Sequence, residues 1–133
     1  MDISTMSSKI ISLDESLHLE GCVLCYGHFT TIHAGHIRYL RHAKMQGEKL
    51  AIALKGDGNN LSEPKYRFNR QERAEALALL NIADFIILLK DDELVHVVNR
   101  LNPSLLVLGK QFELQPEEQV TRSIEILEDH FII

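Results

Sequence analysis

A chain of 133 residues, 45% hydrophobic and 25% charged, has the size and composition of one globular domain with a single buried core. Its net charge of -5 gives no basis for a nucleic-acid or anionic-membrane partner, so any anion-binding role must come from locally placed basic groups. No secretory signal and no apolar run of about 18 residues occurs, so a soluble, cytoplasmic protein is expected.

Residues 1–8 are small and polar and are expected to form a flexible N-terminus, leaving 9–133 as a single domain. Lys9 to Leu19 mixes apolar and polar positions, and Ser12 with Glu15 fits a capping box for a short helix. Cys22 to Tyr26 is a continuous apolar run, too short for a helix and suited to a strand buried on both faces. A helix is expected from about Gly35, stopping at Gly47 as its C-cap. Leu50 to Leu54 is a second strand, followed by a long loop, Lys55 to Asn69, and the basic residues Lys65, Arg67 and Arg70. Ala74, Leu77 and Ala78 mark a second helix, and Phe85 to Leu89 a third strand. Leu94, Val97, Val98 and Leu101 follow the i, i+3, i+4, i+7 helical spacing, with Asp91 or Asp92 as N-cap. Leu105 to Leu108 is a fourth strand, Pro116 to Glu118 open a last helix, and His130 to Ile133 is a fifth strand.

Five short apolar strands alternating with helices predict a doubly wound α/β domain, with a parallel sheet and helices on both faces. In such a sheet ligands bind beyond the carboxyl ends of the strands, where the strand order reverses. An order of 3-2-1-4-5 sets the first and fourth strands side by side there. The turn Gly27-His28-Phe29-Thr30-Thr31-Ile32-His33-Ala34-Gly35-His36 would then face the segment Gly109-Lys110-Gln111-Phe112. The turn joins a strand to a helix and holds no carboxylate, so its backbone N–H groups and the helix dipole suit a phosphate. The glycine fingerprint of dinucleotide-binding folds and the P-loop pattern are both absent.

His33-Ala34-Gly35-His36, preceded by Gly27 and Phe29, resembles the HxGH signature of the cytidylyltransferase-like nucleotidyltransferases. Lys55-Gly56-Asp57, Gln71-Glu72-Arg73 and Pro103 to Gly109 also look like segments of that family. Within that family the chain looks similar to glycerol-3-phosphate cytidylyltransferase and the adenylyltransferase domain of ADP-heptose synthesis, and the Leu108 to Glu113 segment looks like a variant domain often joined to a ribokinase-like sugar kinase.

The resemblance implies a Rossmann-like fold and transfer of CMP or AMP from CTP or ATP to a phosphorylated sugar or polyol, releasing pyrophosphate by direct in-line attack. It implies His33, His36, Lys65 and Arg73 as catalytic residues, with Tyr26, Gly27, His28, Phe29, Thr30, Gly35, Gly109 and Lys110 around the nucleotide. Mg²⁺ would arrive on the phosphates without a dedicated protein cage, and a homodimer and a fused or associated sugar kinase domain are further expectations. Two departures stand out. The family has Asp where this chain has Thr30, and a Ser/Thr-rich element after the fifth strand would fall beyond Ile133, so a shortened domain of a longer protein is expected.

Other readings of the same residues stay open. The two cysteines, Cys22 and Cys25, could be a redox or zinc pair, although a short apolar run suits buried thiols better. A zinc site from His33, His36 and Cys25 is conceivable. His28 either contacts ligand or fills a variable position, Arg73 could pair with Glu72 or Glu75, and His18, His42, His96 and His130 read as structural or solvated. A regulatory nucleotide-binding module without turnover is the alternative function, and a zinc-binding interaction domain a third.

Overall fold

A computed structural model describes residues 9–29, 32–56, 69–90, 94–109, 117–128 and 130–132. In chain order these form β1 (Ile10–Ser12), a 3₁₀ helix (Leu13–Leu19), β2 (Val23–Gly27), α1 (Ala34–Lys44) and β3 (Leu50–Leu54). Then follow α2 (Arg70–Leu80), β4 (Phe85–Leu88), α3 (Leu94–Leu101), β5 (Leu105–Val107), α4 (Glu118–Leu127) and β6 (Phe131–Ile132).

All neighbouring strands pair in parallel, in the order β1-β4-β3-β2-β5-β6. The five expected strands are β2 to β6, and their expected order 3-2-1-4-5 is the observed one. The strand count differs: among the described residues the sheet has six strands, because β1 joins the edge beside β4. The short helix expected from the Ser12–Glu15 capping box is the 3₁₀ helix Leu13–Leu19, and the residues before it form an edge strand that was not expected. Ile10 and Ile11 align with Ile86 and Ile87 of β4, and Ile11 is left only 7% exposed. Burying one isoleucine is worth about 1.5–3 kcal/mol, whereas a short isolated helix is marginal in water. The Ser12–Glu15 pairing survives inside the turn, with the Ser12 N–H and hydroxyl both donating to Glu15 Oε1 at 3.0 Å.

Each strand alternates its side chains between two cores. Leu24, Tyr26, Ala51 and Ala53 face Leu94, Val97, Val98 and Leu101 of α3 with Val120 and Leu127 of α4. Val23, Cys25, Leu50, Ile52 and Leu54 face Leu40 and Ala43 of α1 with Ala74, Leu77 and Ala78 of α2. Right-handed crossovers explain the division. The chain moves outward through β2, β3 and β4 with its helices on one face, then returns to β5 and puts the remaining helices on the other. At that reversal β2 and β5 are neighbours whose exits part towards opposite faces, which opens a crevice at their carboxyl ends.

Helix α1 stops earlier than expected. Met45, in αR conformation, is its C-cap, and Gly47 lies beyond it for a packing reason: a Cβ there would come 2.8 Å from Val23 Cγ2. Lys44 reaches on to the Glu48 carbonyl at 2.7 Å and to Asp84 Oδ2 at 2.6 Å, tying the end of α1 to the segment before β4.

Cys22 and Cys25 are free and buried on opposite sides of the sheet. Burial pushes their thiols up to about 11 and about 12. They are inert core groups, and the redox and shared-metal readings of this pair fall away.

Candidate active site

β2 ends at Gly27, and the chain turns at once. Phe29 takes a positive φ of 50° and folds its ring back over Gly27, where a Cβ would meet Phe29 Cε2 at 2.9 Å. A left-handed non-glycine residue costs about 1–2 kcal/mol. Burial of the ring, which is 5% exposed and stacks 6.4 Å from Tyr39, offsets that cost. The first glycine of the motif is thus there for an aromatic ring that wedges the turn open.

The two motif histidines cap α1 reciprocally. His33, in extended conformation at the N-cap, accepts the Gly35 N–H on Nδ1 at 3.0 Å. His36 in turn accepts the His33 N–H on its own Nδ1 at 3.2 Å. Two imidazoles here do the work that Ser and Glu do in the common capping box. A backbone N–H only donates, so each Nδ1 must be a bare acceptor, and in the neutral ring the proton then sits on Nε2. The rings lie 4.1 Å apart, and partial burial, reinforced by the neighbouring His33, holds His36 below its ordinary pKa. Gly35 permits this packing, because a Cβ there would come 2.8 Å from His33 Cε1.

A cleft of about 460 Å³ opens at this point, lined by His33, Gly35 and His36 from one side and Leu108 and Gly109 from the other. The turn after β2 and the segment after β5 meet as the strand order requires. Tyr39 crosses the crevice beneath them, its hydroxyl donating to the Val107 carbonyl at 2.5 Å. Arg38 and the exposed His42 line the wall further along α1. Thr30, Lys65 and Lys110, together with Arg67, Asp91, Asp92, Gln111, Phe112 and Pro116, lie outside the described residues.

Beside the cleft, four side chains from three segments converge. Glu117 Oε2 accepts from Tyr26 Oη at 3.0 Å and from Lys55 Nζ at 3.4 Å, and Glu117 Oε1 lies 2.8 Å from His28 Nε2. Burial works to raise the Glu117 carboxyl, but the bonds from His28 and Tyr26 and the Lys55 charge outweigh it and hold it below the ordinary carboxylate value. Arg73, only 2% exposed, donates from α2 to the His28 carbonyl at 2.6 Å and so fixes the turn from behind. His28 is therefore part of the site's framework and not a filler.

Neither Glu117 nor Lys55 was assigned to the site from sequence, although Lys55 falls in the family-like segment Lys55-Gly56-Asp57. A carboxylate at the start of a helix has an ordinary local explanation in the helix dipole, which hides a contact made 91 residues away in the chain with Tyr26. The signal for Lys55 was its position directly after a buried strand, where side chains reach the ligand edge of the sheet. Among the described residues no group of three or more His, Cys, Asp or Glu could hold a metal ion, and the zinc centre from His33, His36 and Cys25 does not form. No described helix is long and apolar enough to cross a membrane.

The chain is similar to known proteins. The bifunctional protein HldE of Campylobacter fetus is 34% identical over 116 residues, covering 82% of this chain but 25% of its own length. The HldE of Magnetococcus marinus is 33% identical over 104 residues, so the chain spans a quarter or less of these relatives. Among solved structures, the lipopolysaccharide core biosynthesis protein of Thermoplasma volcanium superposes with a TM-score of 0.61 at 25% identity, covering 77% of this chain and 87% of that one. Pantothenate synthetase of Thermus thermophilus shares the fold alone, with a TM-score of 0.60 at 14% identity over 92% of this chain and 59% of that one. The cytidylyltransferase-like family model matches residues 24–129, from β2 with its histidine turn to the end of α4, and the chain belongs to that family.

Proposed function

We propose that the chain transfers a nucleotidyl group, CMP or AMP, from a nucleoside triphosphate to a phosphorylated sugar or polyol. One observation carries the reading: the reciprocal cap engages the Nδ1 atoms of His33 and His36 and leaves each neutral ring with an Nε2–H donor at the cleft. An oxygen of the acceptor's phosphate attacks the α-phosphorus in line, a new P–O bond forms, and the α–β P–O bond breaks with its electron pair leaving on pyrophosphate. Such a reaction asks the protein mainly for positioning and for donors aimed where charge builds. His33 and His36 are the donors, Lys65 is assigned to the triphosphate and its leaving end, and the buried Arg73, expected there too, serves by holding the turn at His28. Tyr26, Gly27, His28, Phe29, Thr30, Gly35, Gly109 and Lys110 surround the nucleotide. Mg²⁺ is assigned to the nucleotide's own oxygens, where it would supply charge neutralisation.

The likeness to bifunctional relatives, of whose length this chain covers a quarter or less, supports a sugar phosphate as acceptor and an associated sugar kinase domain. A homodimer is the expected assembly, and the cytoplasm the expected compartment.

The test is pyrophosphate release with CTP or ATP, Mg²⁺ and a panel of sugar and polyol phosphates. Replacing His36→Ala removes one donor and should lower turnover by ~10²-fold or more with the fold retained. Nucleotide binding without pyrophosphate release across the whole panel would instead favour a regulatory module of the same fold.

A further inference from the structure

We propose that Lys55, His28 and Tyr26 form an oxyanion cradle at the carboxyl ends of β2 and β3, which the Glu117 carboxylate occupies until a phosphate group displaces it. The cradle is defined by what it already holds. Three donors from the ends of two adjacent strands converge on one carboxylate, at 2.8 Å from His28, 3.0 Å from Tyr26 and 3.4 Å from Lys55. A phosphate monoester offers three terminal oxygens to the same kinds of donor at the same distances. Tyr26 is buried, at 3% exposed, but the side chains of Lys55, His28 and Glu117 are 18%, 23% and 27% exposed, so an incoming anion reaches the cradle from their side.

The backbone gives the displaced carboxylate somewhere to go. Glu117 is the N-cap residue of α4, yet its side chain makes no capping bond, having swung to the sheet instead. Released from the cradle, it stays beside the positive end of the α4 dipole, where a carboxylate is favoured. Two arrangements of one side chain are thus available, one with the cradle filled internally and one with it open. Arg73 keeps the frame rigid during the exchange, because its bond to the His28 carbonyl holds the backbone rather than the ring. The cradle also adjoins His36 of the histidine pair, since one small void is lined by Tyr26, His28, Phe29 and His36 together.

The connection to catalysis rests on the proposed nucleotidyl transfer, but the binding test does not. Inorganic phosphate is titrated into the folded protein while the His28 ring signals are followed by NMR, with circular dichroism as a check on folding. Glu117→Ala, which empties the cradle, should bind phosphate at His28 roughly tenfold more tightly than the unaltered chain. Adding Lys55→Ala should abolish that gain. If Glu117→Ala does not fold, Glu117→Gln keeps the shape, drops the charge and carries the same comparison. Phosphate that leaves the His28 ring untouched in every variant overturns the proposal, as does a gain that survives Lys55→Ala. Repeating the titration with saturating CTP or ATP separates the sources: retained phosphate assigns the cradle to the acceptor's phosphate, displaced phosphate to the nucleotide. Phosphate binding at His28 without any turnover would refute nucleotidyl transfer and leave the cradle standing.

Discussion

Gly35→Ala separates the two jobs of the histidine turn, because its effects on stability and on chemistry diverge. The added Cβ would lie 2.8 Å from His33 Cε1 and 3.1 Å from His33 Nδ1. The ring must swing away, and the Gly35 N–H···Nδ1 bond of 3.0 Å is lost. Loss of an N-cap bond costs about 1 kcal/mol, while alanine in place of glycine in a helix returns up to about 1 kcal/mol. The two nearly cancel, so the melting temperature should move by no more than about 5 °C. Turnover should not be spared: a displaced His33 no longer presents Nε2 to the cleft, and loss of one such donor is worth ~10²-fold or more. The assay pairs thermal unfolding with pyrophosphate release on the same preparation. Wild-type turnover in a folded Gly35→Ala protein would refute the capping argument, and a stability loss of several kcal/mol would show that the glycine serves the core instead.

Two further predictions concern the frame around the site. Arg73→Met keeps the aliphatic stem but removes the charge-assisted bond to the His28 carbonyl, and should cost about 1.5–3 kcal/mol in urea denaturation; an unchanged midpoint would mean that the turn is held by other contacts. Stability should fall in two steps on acidification. His36, held below its ordinary 6.5, binds fewer protons folded than unfolded, so its contribution is present above about pH 6.5 and is lost as the pH falls towards its folded value. Glu117 and Asp84 are also held below their ordinary carboxylate values; for Asp84 burial works the other way, but bonds from Lys44 and the Leu50 N–H prevail. Their contribution is present above about pH 4.5 and is lost as the pH falls through their folded values. Glu117→Gln with Asp84→Asn should flatten the acid limb of a pH–stability curve and leave the upper one, and an unaltered acid limb would place the sensitive groups elsewhere.

The sequence by itself determined the parts of this protein that depend on short-range pattern. Apolar runs of four or five residues between helical stretches specified β2 to β6 and the helices between them, since a strand buried on both faces has no other way to read. The order 3-2-1-4-5 is an expectation that the assembled sheet bears out, and with it comes the meeting of the histidine turn and Gly109. The motif His33-Ala34-Gly35-His36 was legible because its glycines and histidines sit where a strand hands over to a helix.

The tertiary structure alone decided what rests on partners far apart in the chain. Ile10 and Ile11 became a strand because β4 offered an open edge, a fact no local propensity contains. Gly27 and Gly35 were visible as glycines, but only the folded chain shows that one accommodates the Phe29 ring and the other the His33 ring. Gly47, an apparent helix stop, answers to Val23 across the core. Glu117 reads locally as a helix-start carboxylate and acts as the common partner of Tyr26, His28 and Lys55. Local pattern sets which segments exist, because backbone periodicity is local. Which side chains meet at the carboxyl edge of the sheet is set by strand order, and so only the assembled sheet reveals it.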